Sequence, residues 1–307
     1  MINQVAFWKH EPVADQQATS LTANTLMFYQ QTGGDFVKLT PAGNYQIADR
    51  GGLAHWCNDP LGRRSFIKRF IVKPDDWYTL SDDVTAFEQE IVTAASLTRQ
   101  ELPSAVPLYV TLFSPVTLAM MLAGPEVLSL HIRTAPDAVA FAITQLKLSF
   151  IKLLNLYSAA GVDGYFIASQ HCSRAILTKD DYFRFAKQSD DAVLAACEKV
   201  GDTILHLHGQ GIHFGAVPKV SNARVHYELD SANPTPESFR ALTQCEAVIG
   251  LPLEVWQNPS NFAKHAADLL TRFSQKTALF TAPCVLPLAV DNAEVKAWID
   301  AIRLVLD

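Results

Sequence analysis

AAGVDGYFIASQHC, residues 159–172, holds one complete unit of the fold. To its left runs a long helix candidate over 135–160, opened by Pro136, a residue suited to the first helical turn. At its centre, 164–168 is a short apolar run of aromatic and branched residues with glycines beside it, as strands prefer. To its right stand Ser169, Gln170, His171 and Cys172, all able to do chemistry. Helix, glycine break, a strand apolar on both faces and a reactive end together read as one piece of a parallel α/β fold.

Working outward, the same unit recurs. Short apolar runs at 5–8, 35–39, 107–113, 203–207, 224–229, 247–251 and 278–282 join 164–168 to give eight strands. Longer amphipathic runs at 15–31, 82–100, 178–200, 236–244, 259–275 and Asn292–Leu306 alternate with them. Ser81 and Asp82 suit the cap of the second helix, and TKDD at 178 puts acids at the positive end of another. Eight strands alternating with helical runs, and nothing left over, predict a (β/α)8 TIM barrel, an α/β fold, as a single domain over residues 1–307. A doubly wound sheet would also alternate, but no glycine-rich phosphate loop follows the first strand. The segment 43–77, after the second strand, is longer than a βα loop and is expected to form a lid or an inserted hairpin.

The bulk numbers set limits. The chain has 307 residues, 49% hydrophobic and 18% charged, with a formal charge of −6. That balance argues against nucleic acid as a partner, which wants a basic face. The one basic cluster, Arg63, Arg64, Lys68 and Arg69, reads as a solvated turn. No apolar stretch is expected to reach the ~20 residues of a membrane span, and the start, MINQVAFWKHEP, lacks the pattern of a signal peptide. Five scattered cysteines form no disulfide framework, so reduced thiols and a cytoplasmic setting are expected. The partner is expected to be a small-molecule substrate, and the chain a monomer or homodimer.

Catalytic groups of a barrel lie at the C-terminal ends of its strands. Those positions offer His10, Lys38, Ser114, Ser169, Gln170, His171, His206, His208, Glu228 and Cys284. The strongest local signal is His206-Leu207-His208. Residues i and i+2 of a strand share a face, so two imidazoles emerge together at the mouth. Closure of the barrel returns the eighth strand to the mouth, where Cys284 could complete a three-ligand zinc site with one open position. Glu228 or Asp230 could add a ligand or support one. The same histidines could instead hydrogen-bond neighbouring strand ends. His213 reads as a loop residue, and Cys172, Cys197 and Cys245 as small packed hydrophobes. Ser169 with His171 suggests a nucleophile and base, yet no G-x-S-x-G elbow surrounds them. Lys38 could form a Schiff base; pairing with Asp35 or Asp163 is the favoured reading. Ser114, Ser169 and Gln170 are the candidates for holding a cofactor.

Five stretches in order, DFVKLTPAGNYQIADRGG (35–52), TLFSPVTLAMMLAG (111–124), AAGVDGYFIASQ (159–170), ILHLHGQG (204–211) and APCVLP (282–287), resemble the uroporphyrinogen decarboxylase superfamily. That superfamily also contains corrinoid-linked, zinc-dependent methyltransferases. The resemblance implies the same barrel. It departs from true decarboxylases at four places. VAFWKHEPVADQQ has no arginine where they carry an arginine-rich motif. Their Phe-Ser-Asp aspartate has no counterpart. Their tyrosine falls near Met120 or Met121, and their late histidine near Cys284. The methyltransferase branch, with His-x-Cys on the fifth strand and cysteine on the eighth, fits better, with His208 standing where its first cysteine would be.

Three readings follow. The first is a zinc-dependent methyltransferase that activates a thiol, with the methyl group arriving on a cobamide held by a separate corrinoid protein. The second is a decarboxylase of a tetrapyrrole or other polycarboxylate. It would use Arg50, Arg133 or Arg174 as clamps and His10 or His171 as general acid. The third is a non-catalytic relative that binds a tetrapyrrole or cobamide.

Overall fold

The computed structural model describes residues 3–306, with nothing said of the side chains of Val305 and Leu306. Its strands run in chain order β1 Gln4–Val5, β2 Val37–Leu39, β3 Leu53–Trp56, β4 Arg64–Lys68, β5 Leu108–Phe113, β6 Gly164–Ser169, β7 Asp202–Leu207, β8 Arg224–Tyr227, β9 Ala247–Gly250 and β10 Leu279–Thr281. Eight of them form one curled parallel sheet, β1-β10-β9-β8-β7-β6-β5-β2. Its two ends meet at a seam. The Asp35 N–H donates to the Val5 carbonyl at 2.9 Å, and the Val5 N–H donates to the Asp35 carboxylate at 2.6 Å. The fold is the expected (β/α)8 barrel. All eight expected strands are present; several ends are trimmed by one to three residues where pairing stops before the apolar run does, while β1, β6 and β7 each extend one residue past it.

The helices are α1 Ala18–Thr32, α2 Ala86–Glu101, α3 Pro115–Ala123, α4 Pro125–Thr134, α5 Pro136–Ala159, α6 Lys179–Asp181, α7 Lys187–Glu198, α8 Pro236–Leu242, α9 Leu253–Trp256, α10 Pro259–Phe273 and α11 Asn292–Leu306. Caps fix several starts. Thr85 accepts from Glu88 N–H and Glu88 reaches back to Thr85, a capping box at α2. Three helices were not expected, α3, α4 and the one-turn α9. PVTLAMMLA is apolar all round, so no helical stripe betrays it. Gly124, at φ +87°, then lets the chain turn into α4, and α3 and α4 meet at a bend of 104°. Between α6 and α7 the helix runs through a π turn, Tyr182–Ala186. α5 corrects another expectation, since it is long and apolar enough to cross a bilayer. Its apolar residues, Val139, Ile143, Leu146, Phe150 and Leu153 among them, are buried at helical spacing inside the protein.

Inward side chains fill the barrel in layers. At the N-terminal end, Arg224 binds Asp202 at 2.7 Å and the Tyr109 hydroxyl at 3.0 Å. Gly164 permits this arrangement, because a Cβ there would stand 2.2 Å from the Tyr109 ring. Above lie Phe36, Tyr109, Ile204, Val248, Trp8 and Phe166, an apolar cluster separate from the main core outside the barrel. The segment 43–77 contains the expected hairpin, β3 antiparallel to β4. Its turn lies against both ends of the chain. The Leu288 N–H donates to the Pro60 carbonyl at 2.8 Å. Gly62, at φ +73°, packs so tightly that an added Cβ would stand 2.5 Å from His10 Cβ.

The basic cluster of this hairpin is not the solvated turn expected. Arg64 forms a bidentate pair with Asp15 at 2.7 and 2.9 Å, and both side chains are almost wholly buried. Arg69 donates to the Met120 and Met121 carbonyls that end α3. Arg63, paired with Asp59, and Lys68 stay open to solvent.

Candidate metal centre at the barrel mouth

β7 places His206 inside the barrel and His208 one layer higher, as period-two alternation requires. His206 Nε2 lies 3.4 Å from His208 Nδ1. The loop after β10 brings Cys284 Sγ to 4.0 Å from the same Nδ1. Ligand atoms of His206, His208 and Cys284 all fall within 4.8 Å of one another. Zinc ligands at about 2.1 Å (nitrogen) and 2.3 Å (sulfur) in a tetrahedron stand about 3.4 to 3.6 Å apart. The nitrogen pair already has that spacing, and the sulfur is slightly wide of it. Glu228 Oε1 is 3.8 Å from His208 Nδ1, within reach of supporting that ring. His206 Nδ1 is buried without a partner.

The electrostatics suit two members of the group, His206 and Cys284. Burial first, then the neighbouring His226, His208 and Lys38, pushes His206 well below its ordinary value. It is therefore a neutral imidazole at pH 7, the form that binds metals. Burial alone would also lower His208, but the Cys284 sulfur and the Glu228 carboxylate overcome it and hold the ring above its ordinary value. Burial would raise the Cys284 thiol, yet the hydrogen bond and charge of His208 bring it below the usual thiol range. Thiolate character is what a metal ligand needs.

The sequence missed a third imidazole. His226 on β8 lies in register with His206, and their rings stand 4.7 Å apart. It is fully buried with neither nitrogen hydrogen-bonded. Burial, then the charges of His208 and Lys38, lowers it to about 3. Gly250 makes the room, since a Cβ there would be 2.8 Å from His226 Nε2. The signal was present as the alternation Arg224, His226, Glu228, three inward positions on one strand.

Other candidates are placed differently. Lys38 points into the barrel and pairs with neither Asp35 nor Asp163, correcting the favoured reading. Asp35 is taken by Arg303 and Asp163 by Arg99. His10 lies beyond β1, in the loop beside the hairpin turn, its Nδ1 without a partner. Burial, then the charges of Lys38 and Arg64, lowers it to about 3. At neutral pH its imidazole is uncharged. His171 is fully buried away from the mouth. Its Nδ1 meets Thr117 and Ser114 hydroxyls at 3.0 and 3.3 Å, its Nε2 meets Asp190 at 2.9 Å, and its ring stacks on Tyr182. Ser114 is thus a buried bracket between β5 and β6. Gln170 donates its N–H to Thr117, and the buried Ser169 offers its carbonyl to the His208 N–H at 3.0 Å. These three position β7's neighbourhood.

Residues 51–305 match the family model described as uroporphyrinogen decarboxylase (URO-D). No curated protein sequence matches the chain significantly. Among solved structures, a methyltransferase from Methanosarcina mazei superposes with a TM-score of 0.80 at 15% identity, covering 99% of this chain and 94% of that one. A B12-independent methionine synthase from Shewanella sp. W3-18-1, in complex with selenomethionine, gives 0.59 at 13% identity, covering 99% and 95%.

Proposed function

The chain belongs to the uroporphyrinogen decarboxylase (URO-D) family of enzymes, and on that premise we propose that it transfers a methyl group to a thiol held at the barrel mouth by zinc. The observation that carries the reading is the convergence of His206, His208 and Cys284 within 4.8 Å, from two strands far apart in sequence. Zinc, when bound there, supplies a Lewis acid that lowers the pKa of a thiol and keeps it as the nucleophilic thiolate.

The chain's own residues do the rest. His206 presents a neutral imidazole, and His208 lowers the Cys284 thiol towards the thiolate a cation takes. Glu228 steadies the His208 ring. The hairpin turn at Pro60–Gly62, latched between His10 and Leu288, covers one side of the mouth and limits water. As the sulfur–carbon bond forms, the donor–carbon bond breaks and its electron pair stays with the donor. In this reading the donor is a methylated corrinoid on a separate protein.

The geometry favours this over decarboxylation of a porphyrinogen. Arg50 is spent on Glu88 and Ser149 inside the protein. Arg133 is exposed on α4 beside Ser129, and Arg174 binds the Gly211 and Ala232 carbonyls. No arginine clamp for several carboxylates converges on the mouth among the described residues.

The test is direct. Protein purified without chelator should carry close to one zinc per chain. With methylcobalamin and 2-mercaptoethanol it should discharge the methyl–cobalt absorbance. The double variant His206→Ala with Cys284→Ala should lose metal and activity while keeping its circular dichroism. Wild-type protein free of zinc, or a double variant that retains it, refutes the proposal. So does conversion of uroporphyrinogen to coproporphyrinogen without metal.

A further inference from the structure

Lys38 sits inside the barrel without a counter-ion. Its ammonium lies 4.5 Å from the Phe166 ring centroid and 5.1 Å from that of Trp8. Its one hydrogen bond, to Thr40 Oγ1, is long at 3.4 Å. It forms no salt bridge among the described residues, because the acids nearest in sequence and register are held by arginines elsewhere. Cys284, His206, His226 and His10 all feel its charge, so it shares the pit that holds the metal-ligand cluster. It is not sealed, with 7% of its surface exposed, as has Thr111 beside it, while Thr40 has 6%.

A buried ammonium is costly unless an anion joins it. Two aromatic faces offset part of that cost, but they do not replace an ion pair. Every imidazole facing it is a neutral or cationic group and none supplies negative charge. Glu228 and Cys284, the anionic groups at the mouth, are engaged with His208. The missing anion therefore fits a ligand.

We propose that Lys38, with the Thr40 hydroxyl beside it, is the receptor for a carboxylate carried by the thiol substrate, so that the enzyme selects short anionic thiols over neutral ones. The inference rests on the thiol reading above for the sulfur end, and on Lys38 alone for the anionic end. Lys38 acts as a specificity residue, since it touches the part of the substrate that does not react.

A matched pair of probes separates the two claims. 3-Mercaptopropionate and 2-mercaptoethanol differ chiefly in the carboxylate. Calorimetric titration of wild-type protein should show 3-mercaptopropionate binding at least tenfold more tightly. Lys38→Met keeps the length and fits the aromatic cage. It should abolish the preference while leaving 2-mercaptoethanol affinity and bound zinc unchanged, and Lys38→Arg should restore part of it. Equal affinity of wild-type protein for the two thiols overturns the inference even if zinc is bound, and so does a preference that survives Lys38→Met. A protein without zinc that still prefers the carboxylate in a Lys38-dependent way keeps this inference and removes only the methyl-transfer reading.

Discussion

Replacing Lys38 by methionine should make the metal-free protein more stable, and by an amount that depends on pH in a calculable way. Burial lowers Lys38 from 10.5 to about 7. Each pH unit of that difference is worth about 1.4 kcal/mol, so the full cost of keeping the ammonium inside is about 5 kcal/mol. The sign follows from proton counting. Between pH 7 and 10.5 the unfolded chain holds a proton that the folded chain releases, so wild-type stability rises with pH through that window. Below it both states are charged and the cost is complete. Lys38→Met removes the cost, so its advantage should be about 5 kcal/mol at pH 6 and about 2 kcal/mol at pH 9. Better packing of methionine adds a constant that pH does not touch. Urea denaturation of both proteins at the two pH values, with chelator present, reads the difference. A gap between variant and wild type that is the same at pH 6 and pH 9, within about 1 kcal/mol, would show that Lys38 is not charged in a dry site and refute the reasoning.

Other predictions concern the frame around the site. Gly62→Ala forces a Cβ to 2.5 Å from His10 at a positive φ; it should cost about 1–3 kcal/mol and release the hairpin turn, seen as faster proteolytic cleavage near residues 57–63. Arg64→Ala leaves Asp15 buried without its partner and should destabilise the protein by about 3–5 kcal/mol, relieved when Asp15→Asn is added. Asp190→Ala leaves His171 Nε2 without an acceptor and should cost about 2 kcal/mol in denaturant midpoint without changing bound zinc. A loss of metal in that last variant would mean that the bracket around Ser114 and Thr117 holds β7 more tightly than the hydrogen bonds indicate.

The barrel was legible because each strand is a short apolar run set between longer runs of another period. His206, His208 and Cys284 were legible because a strand alternates and a barrel closes, which fixes where their side chains emerge. What stayed hidden has a common cause. Lys38 could be placed on an inward position, but its partners depended on which arginines claimed Asp35 and Asp163. Arg64 looked like half of a basic turn until Asp15, 49 residues earlier, was seen to hold it. His226 was written in plain alternation beside Glu228, and its nearness to His206 depended on the register of β7 against β8. PVTLAMMLA hid a helix because a segment buried all round shows no face.

The hairpin latch has a consequence for how the protein matures. Its turn rests on His10, after β1, and on Leu288, after β10, and the sulfur that joins His206 and His208 is Cys284, a few residues before that latch. A chain that has folded only its first seven barrel strands would own both histidines and the hairpin, but neither Cys284 nor the Leu288 half of the latch. Enclosure of the mouth, and assembly of the proposed metal-ligand group, thus wait until β10 and the loop behind it have folded.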